Sequence, residues 1–171
     1  YTYFFRGKVY ANAQTGNIVL LSQHLFTGDF LKALHYLIPL VAFASGILAA
    51  ELFREHFQSL KALHWRQMIV LAEILLLFSV GFFPQELNLL ANAVVSFSCA
   101  MQVQTFRKVS GYAYASTMCI GNMRGGMEAL AVWIVKHDPK ALRKVSHYFG
   151  IIFLFGVGAG LGWVAVEHFA A

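Results

Sequence analysis

Apolar positions along the chain fall into six stretches separated by short polar connections. Four are nearly uninterrupted and predict helices directly: residues 34–53, 68–83, 87–104 and 148–169. Their lengths lie close to the ~20 residues that a helix needs to cross a bilayer. The first holds Pro39 and, near its end, Glu51; the second is interrupted only by Glu73. The turn Pro84-Gln85-Glu86 is so short that 68–83 and 87–104 are predicted to fold as a helical hairpin. Two further stretches, 10–26 and 112–135, are long enough to span, yet each carries a polar cluster. Asn12, Gln14, Thr15, Asn17, Gln23 and His24 lie in the first, and Thr117, Asn122, Arg124 and Glu128 in the second. In hydrocarbon such groups must find partners or water, which predicts broken or re-entrant helices at these two places. The aromatic run Tyr1, Tyr3, Phe4, Phe5 reads as the end of a first helix that is truncated.

Composition strengthens this picture. Hydrophobic residues make up 58% and charged residues 12% of the chain, with a mean hydropathy of +0.61; ordinary soluble domains have about 45–50% and 25%. A chain of 171 residues with so little polar surface is predicted to be an integral membrane protein, one all-α domain over 1–171 with about six spans. Its net charge of +5 comes largely from basic clusters beside the apolar stretches. That is a positive-inside signature and not a nucleic-acid patch. Arg54, Lys61 and Arg66 mark the connection after 34–53 as cytoplasmic, and the hairpin turn at Pro84, free of Lys and Arg, as external. Arg107 and Lys108 then return the chain inward, but Lys136, Lys140, Arg143 and Lys144 make both flanks of 112–135 look cytoplasmic. Either that segment re-enters, or it spans and the charge rule fails once.

The two halves resemble each other. Phe5-Arg6 recurs as Phe106-Arg107, Thr15-Gly16-Asn17 as Ile120-Gly121-Asn122, and His35-Tyr36 as His147-Tyr148. Gly46-Ile-Leu-Ala-Ala-Glu51-Leu-Phe53 matches Gly162-Trp-Val-Ala-Val-Glu167-His-Phe169. The matches keep their order while their separation grows from 101 to 116 residues. An internal repeat is therefore expected, about 1–56 and 100–171, joined by a helix and hairpin over 67–99. Many transporters are built from two such units around a solute site.

The block Ala11-Asn-Ala-Gln-Thr-Gly-Asn-Ile-Val-Leu-Leu21, preceded by Tyr-Phe-Phe-Arg-Gly-Lys-Val, resembles the signature of the YoaK-like family of uncharacterised bacterial inner-membrane proteins, a domain of unknown function. Ala115-Ser-Thr-Met-Cys-Ile-Gly-Asn-Met-Arg124 resembles that family's second Thr-x-x-x-Gly block. The resemblance implies about six helices in the bacterial cytoplasmic membrane and a suspected transport role. It supplies no substrate and no catalytic residue.

The residues themselves suggest where chemistry would lie. Asn12, Gln14, Thr15, Gly16 and Asn17 combine amides, a hydroxyl and a glycine, and Asn or Thr could cap a half-helix beginning at Ile18. Thr117, Gly121, Asn122, Arg124 and Glu128 are their counterparts as solute-binding candidates. Arg124 and Glu128 stand one helical turn apart and can pair, as a structural ion pair or a gate. Glu73 is either hydrogen-bonded to another helix or a proton- or cation-coupling carboxylate. Glu51 reads as an interfacial anchor beside Arg54, and Gln102, Gln104 and His24 as interhelical hydrogen-bonders. The run Gly156-x-Gly158-x-Gly160-x-Gly162 and the pair Gly121, Gly125 have helix-packing spacing, inside the bundle or between protomers of a homo-oligomer. Cys99 and Cys119 read as small packing residues. There is no Walker loop, G-x-S-x-G, H-E-x-x-H or paired-cysteine motif, so neither a catalytic residue, a metal nor a cofactor is assigned. Three functions stay open: a small-solute secondary transporter or channel-like protein, a membrane-embedded enzyme acting on a lipid or quinone, and a non-catalytic assembly subunit. The expected partners are the lipid bilayer and a small-molecule solute, with no nucleic acid.

Overall fold

The computed structural model describes residues 1–58, 64–109, 112–113 and 116–169. Lys61 and part of the 112–135 stretch (114–115) lie outside the described residues. The architecture is helical. The exception among the described residues is one antiparallel pairing of β1 (Lys108–Val109) with β2 (Tyr112–Ala113), Lys108 opposite Ala113 and Val109 opposite Tyr112. Val and Tyr favour extended backbone, so the helix expected from residue 112 begins only at Cys119. The chain divides into two compact units, Tyr1–Thr105 and Phe106–Ala171.

The first unit opens with a single helical turn, α1 (Thr2–Phe5), followed by irregular backbone in which Gly7 and Lys8 take positive φ, 88° and 59°. Helix α2 (Gln14–Phe26) follows, capped at its start by Ala13 without a side-chain hydrogen bond. This corrects the expected start at Ile18 and the expected Asn or Thr cap. The Gln14 amide folds back onto the Ala11 carbonyl at 2.8 Å, and Asn17 is already inside the first turns. A tight turn through Gly28, φ +77°, leads to α3 (Phe30–Phe57), whose cap Asp29 accepts the Lys32 N–H. At 28 residues α3 is about 42 Å long. Helix α4 (Trp65–Val80), a 3-10 turn (Gln85–Leu87) and α5 (Asn88–Thr105) form the expected hairpin.

Helix α5 lies against both α3 and α4. The α3–α5 crossing is set by Gly46, where a Cβ would stand 2.5 Å from the Phe97 carbonyl oxygen. Ala50, Trp65, Ile69 and Met101 make the apolar core, flanked by Phe53, Phe57, Ala72 and Phe97.

The second unit holds β1–β2, α6 (Cys119–Lys136) and α7 (Pro139–Phe169). Helix α6 ends on His137 in a left-handed conformation, φ 52°, and the Asp138 carbonyl accepts the N–H groups of Ala141 and Leu142. Helices α6 and α7 pack where Gly125 and Gly126 admit the rings of Tyr148 and Phe149. Past this contact, none of the most apolar 18 residues of α7 is buried.

Among the described residues two helices, α3 and Pro139–His168 of α7, are long and apolar enough to cross a membrane. Helix α2, with 13 residues, reaches only about 20 Å, short of the ~30 Å hydrocarbon layer.

Candidate functional site

The first Gly-Asn element is a hydrogen-bonded knot. Asn17, fully buried, accepts the Tyr10 N–H through Oδ1 at 3.1 Å. Its Nδ2 donates to the Tyr10 carbonyl at 2.6 Å and to Gln14 Oε1 at 2.7 Å. The side-chain amide therefore pairs with a backbone peptide as a strand would, and ties the irregular segment to the start of α2. Gly16 is required by proximity, because a Cβ there would lie 2.9 Å from the Tyr10 ring. Asn12 and Gln14 are half-buried and Thr15 is exposed. Both donor hydrogens of Asn17 are committed to these bonds, so this residue shapes the element.

A second polar feature of this unit was not singled out from sequence. Arg6 is only 5% exposed. Its Nε donates to Tyr1 Oη at 2.6 Å, its Nη2 to the Phe83 carbonyl at 2.8 Å, and its Nη1 to the Pro84 carbonyl at 3.0 Å and Asn88 Oδ1 at 3.1 Å. Among the described residues no carboxylate pairs with it, so carbonyl dipoles of the α4–α5 turn carry its solvation. The Arg6 carbonyl in turn accepts Asn92 Nδ2 at 2.6 Å.

From here a polar stripe runs down α5. Asn88, Asn92 and Ser96 recur every four residues, and Cys99 continues the same face. This stripe extends about 16 Å along the axis and reaches Cys99, which lies within electrostatic range of Glu73 on α4. Glu73 is 7% exposed. Glu73 Oε1, Asn92 Oδ1 and Ser96 Oγ are buried without a hydrogen-bond partner among the described residues. Groups of this kind are normally satisfied in native proteins, which sets these three apart from the apolar packing around them. The signal was legible as the four-residue spacing in 87–104, hidden because serine and cysteine pass as packing residues.

Around this interior the polarity is reversed relative to a soluble protein. Helix α4 turns its one carboxylate inward while Leu71, Ile74, Leu75 and Phe78 stand 55–67% exposed. Nearer one end of α3, Glu51 pairs with Arg54 and accepts Gln104 Nε2 of α5 at 2.6 Å, the interhelical bond expected of Gln104. His24 stacks on Tyr36 between α2 and α3, centroids 5.6 Å apart.

In the second unit Asn122 is 1% exposed and, like Asn17, stands three residues after the first residue of its helix. Thr117 is half-buried and Gly121 exposed. Arg124 Nε and Glu128 Oε1 pair at 2.8 Å, both largely exposed. Gly125 serves the α6–α7 contact, whereas Gly156, Gly158, Gly160 and Gly162 have nothing within 4 Å, which locates none of their packing inside the described fold. Cys99 and Cys119 are free thiols. Among the described residues no cluster of His, Cys, Asp and Glu could hold a metal.

No curated protein and no solved structure matches the chain. A family profile does, over residues 1–171, and it agrees with the expectation of a family of unknown function read from the Gly-Asn blocks. The chain belongs to the DUF1275 family of proteins of unknown function.

Proposed function

We propose that the chain is a multi-pass protein of the bacterial cytoplasmic membrane that passes a small polar solute along its interior, as a secondary transporter or channel-like protein. The observation that carries this reading is the buried stripe of α5 with Glu73, open hydrogen-bonding groups enclosed by helices whose outer faces are apolar. Lipid would satisfy those outer faces, and water or solute the inner groups. Element order supports an internal duplication: α1, irregular backbone, α2 and α3 find counterparts in α5, the β1–β2 segment, α6 and α7. Each copy places its buried asparagine, Asn17 or Asn122, at the same offset from a helix start. The short α2 after irregular backbone suits a broken helix of the kind that lines transporter sites. In this reading about six spans form the bundle, Asn12, Gln14, Thr15, Thr117, Gly121, Arg124 and Glu128 contribute solute contacts, and Glu73 is the coupling carboxylate.

A second reading, an enzyme acting on a lipid or quinone, draws on a groove of 210 Å³ between α3, α4 and α5, lined by Ala42, Leu76, Ala93, Val94 and Phe97. Its wholly apolar lining suits a hydrocarbon chain but brings no reactive group, which ranks it behind transport. The test is solute flux in proteoliposomes across a panel of small neutral, cationic and anionic solutes. Flux by the wild type that falls at least tenfold in Glu73→Gln or Asn92→Ala supports transport. Wild-type vesicles no leakier than protein-free ones to every solute would sink it.

A further inference from the structure

Inside the first unit hydrogen-bond donors are spent and acceptors are not. Asn92 has no exposed surface, and its Nδ2 meets the Arg6 carbonyl oxygen at 2.6 Å. A carbonyl oxygen can only accept, so this contact fixes which way round the amide lies and turns Oδ1 away from it. Each nitrogen of the Arg6 guanidinium already donates, to Tyr1, Phe83, Pro84 or Asn88. The Ser45 and Ser79 hydroxyls donate to carbonyls of their own helices at 2.8 and 2.7 Å. Ser96 Oγ, with no exposed surface, makes no such bond, and neither Asn92 Oδ1 nor Glu73 Oε1 has a partner among the described residues. The unspent atoms are therefore a carboxyl oxygen, an amide oxygen and a hydroxyl, of which only the hydroxyl can donate as well as accept.

Charge narrows the choice further. Arg6 and Glu73 are the buried charged side chains among the described residues, and they stand at opposite ends of the α5 stripe. Arg6 holds Asn88, whereas Glu73 lies within electrostatic range of Cys99, eleven residues further along α5 and about 16 Å away along the axis. Coulomb energy falls as 1/r, so at equal screening a cation ~4 Å from Glu73 is attracted roughly four times as strongly as Arg6 repels it. An anion drawn toward Arg6 would meet spent donors and the acceptor Asn92 Oδ1. A single carboxylate balances a single positive charge, and a calcium ion would ask for about 6–8 oxygen ligands. We infer that the solute is a small monovalent cation, held by the Glu73 carboxylate with Ser96 supplying a further oxygen. This rests on the transport reading above and names the class of solute it carries.

Proteoliposomes of the full chain test the assignment with labelled rubidium, sodium and methylammonium, beside chloride and urea. The wild type should take up at least one of the three cations saturably, and in preference to chloride and urea. Glu73→Gln should lower that uptake at least tenfold, Glu73→Asp should keep part of it, and K32Q, at an exposed lysine, should leave it unchanged. Preference for chloride or urea over every cation, or cation uptake unaltered in Glu73→Gln, would overturn the assignment and leave transport standing. Vesicles impermeable to the three cations also overturn it; only vesicles impermeable to every solute of the wider panel defeat transport itself. Should Glu73→Gln not fold, thermal unfolding of the wild type in neutral detergent decides. A midpoint raised saturably when rubidium, sodium or methylammonium replaces N-methylglucamine at fixed ionic strength supports the site, and a midpoint indifferent to all three overturns it.

Discussion

Replacing Asn17 by alanine tests whether the Gly-Asn element is a structural knot. The substitution removes three hydrogen bonds, 2.6–3.1 Å long, from a side chain with no exposed surface. Gln14 is half-buried and can turn to another partner, so its share of the loss is small. The Tyr10 N–H and carbonyl dominate the cost, because each loses its partner in a part-buried setting, at up to about 1–3 kcal/mol apiece. Allowing for partial relaxation, Asn17→Ala should cost about 2–4 kcal/mol. The isosteric Asn17→Asp should do no better at neutral pH, since it sets a carboxylate oxygen against the Tyr10 carbonyl that now accepts at 2.6 Å. The assay is equilibrium unfolding in mixed detergent micelles, followed by helical circular dichroism. An Asn17→Ala protein within about 0.5 kcal/mol of wild type, the usual range of a surface substitution, would refute the knot and free Asn17 for a solute-binding role.

Three other outcomes follow from the packing and charge. Gly46→Ala should destabilise by about 1–2 kcal/mol, because overpacking against the Phe97 carbonyl outweighs the helix propensity gained; Gly160→Ala, with open space around it, should be neutral or stabilising in the same unfolding assay. Arg6→Met should cost about 2–4 kcal/mol by orphaning the Phe83 and Pro84 carbonyls, with Arg6→Lys intermediate, read from thermal midpoints. The Lys32 side chain, then its backbone N–H, holds the Asp29 carboxyl below its ordinary value of 3.8. Its contribution is thus present above that value and lost as pH falls through the lower folded value. The substitution D29N keeps a capping oxygen without the ion pair, so the gap in thermal midpoint between wild type and D29N should close on acidification and persist through neutral pH, until Lys32, itself held above its ordinary value by Asp29, loses its proton.

What the sequence made legible follows from which interactions are local. The 68–83 and 87–104 hairpin was readable because a three-residue turn leaves no alternative, and Arg124–Glu128 because helical spacing alone brings them together. The start of α2 was misplaced because its cap is no Ser, Thr, Asp or Asn; Ala13 stands there, and the stabilising bonds come from Asn17 reaching back seven residues to Tyr10. Arg6 was noticed only as a repeat marker. Its partners Phe83, Pro84 and Asn88 lie about eighty residues away, and carbonyl acceptors carry no sequence signature. Glycines show the same limit. Gly46 and Gly162 occupy matching positions in the repeated pattern, yet the first abuts α5 and the second meets nothing within 4 Å.

In the proposed function, α4 and α5 present an apolar face to lipid and a wet, polar stripe to the interior. Single cysteines at Ser96 and Leu75, in a chain lacking Cys99 and Cys119, test this in membrane vesicles with a charged, impermeant thiol reagent. S96C, on the buried stripe, should be labelled, and L75C, at a position 60% exposed but facing hydrocarbon, should be protected. Labelled L75C with silent S96C would contradict the proposal, placing water on the outside of the bundle and none within.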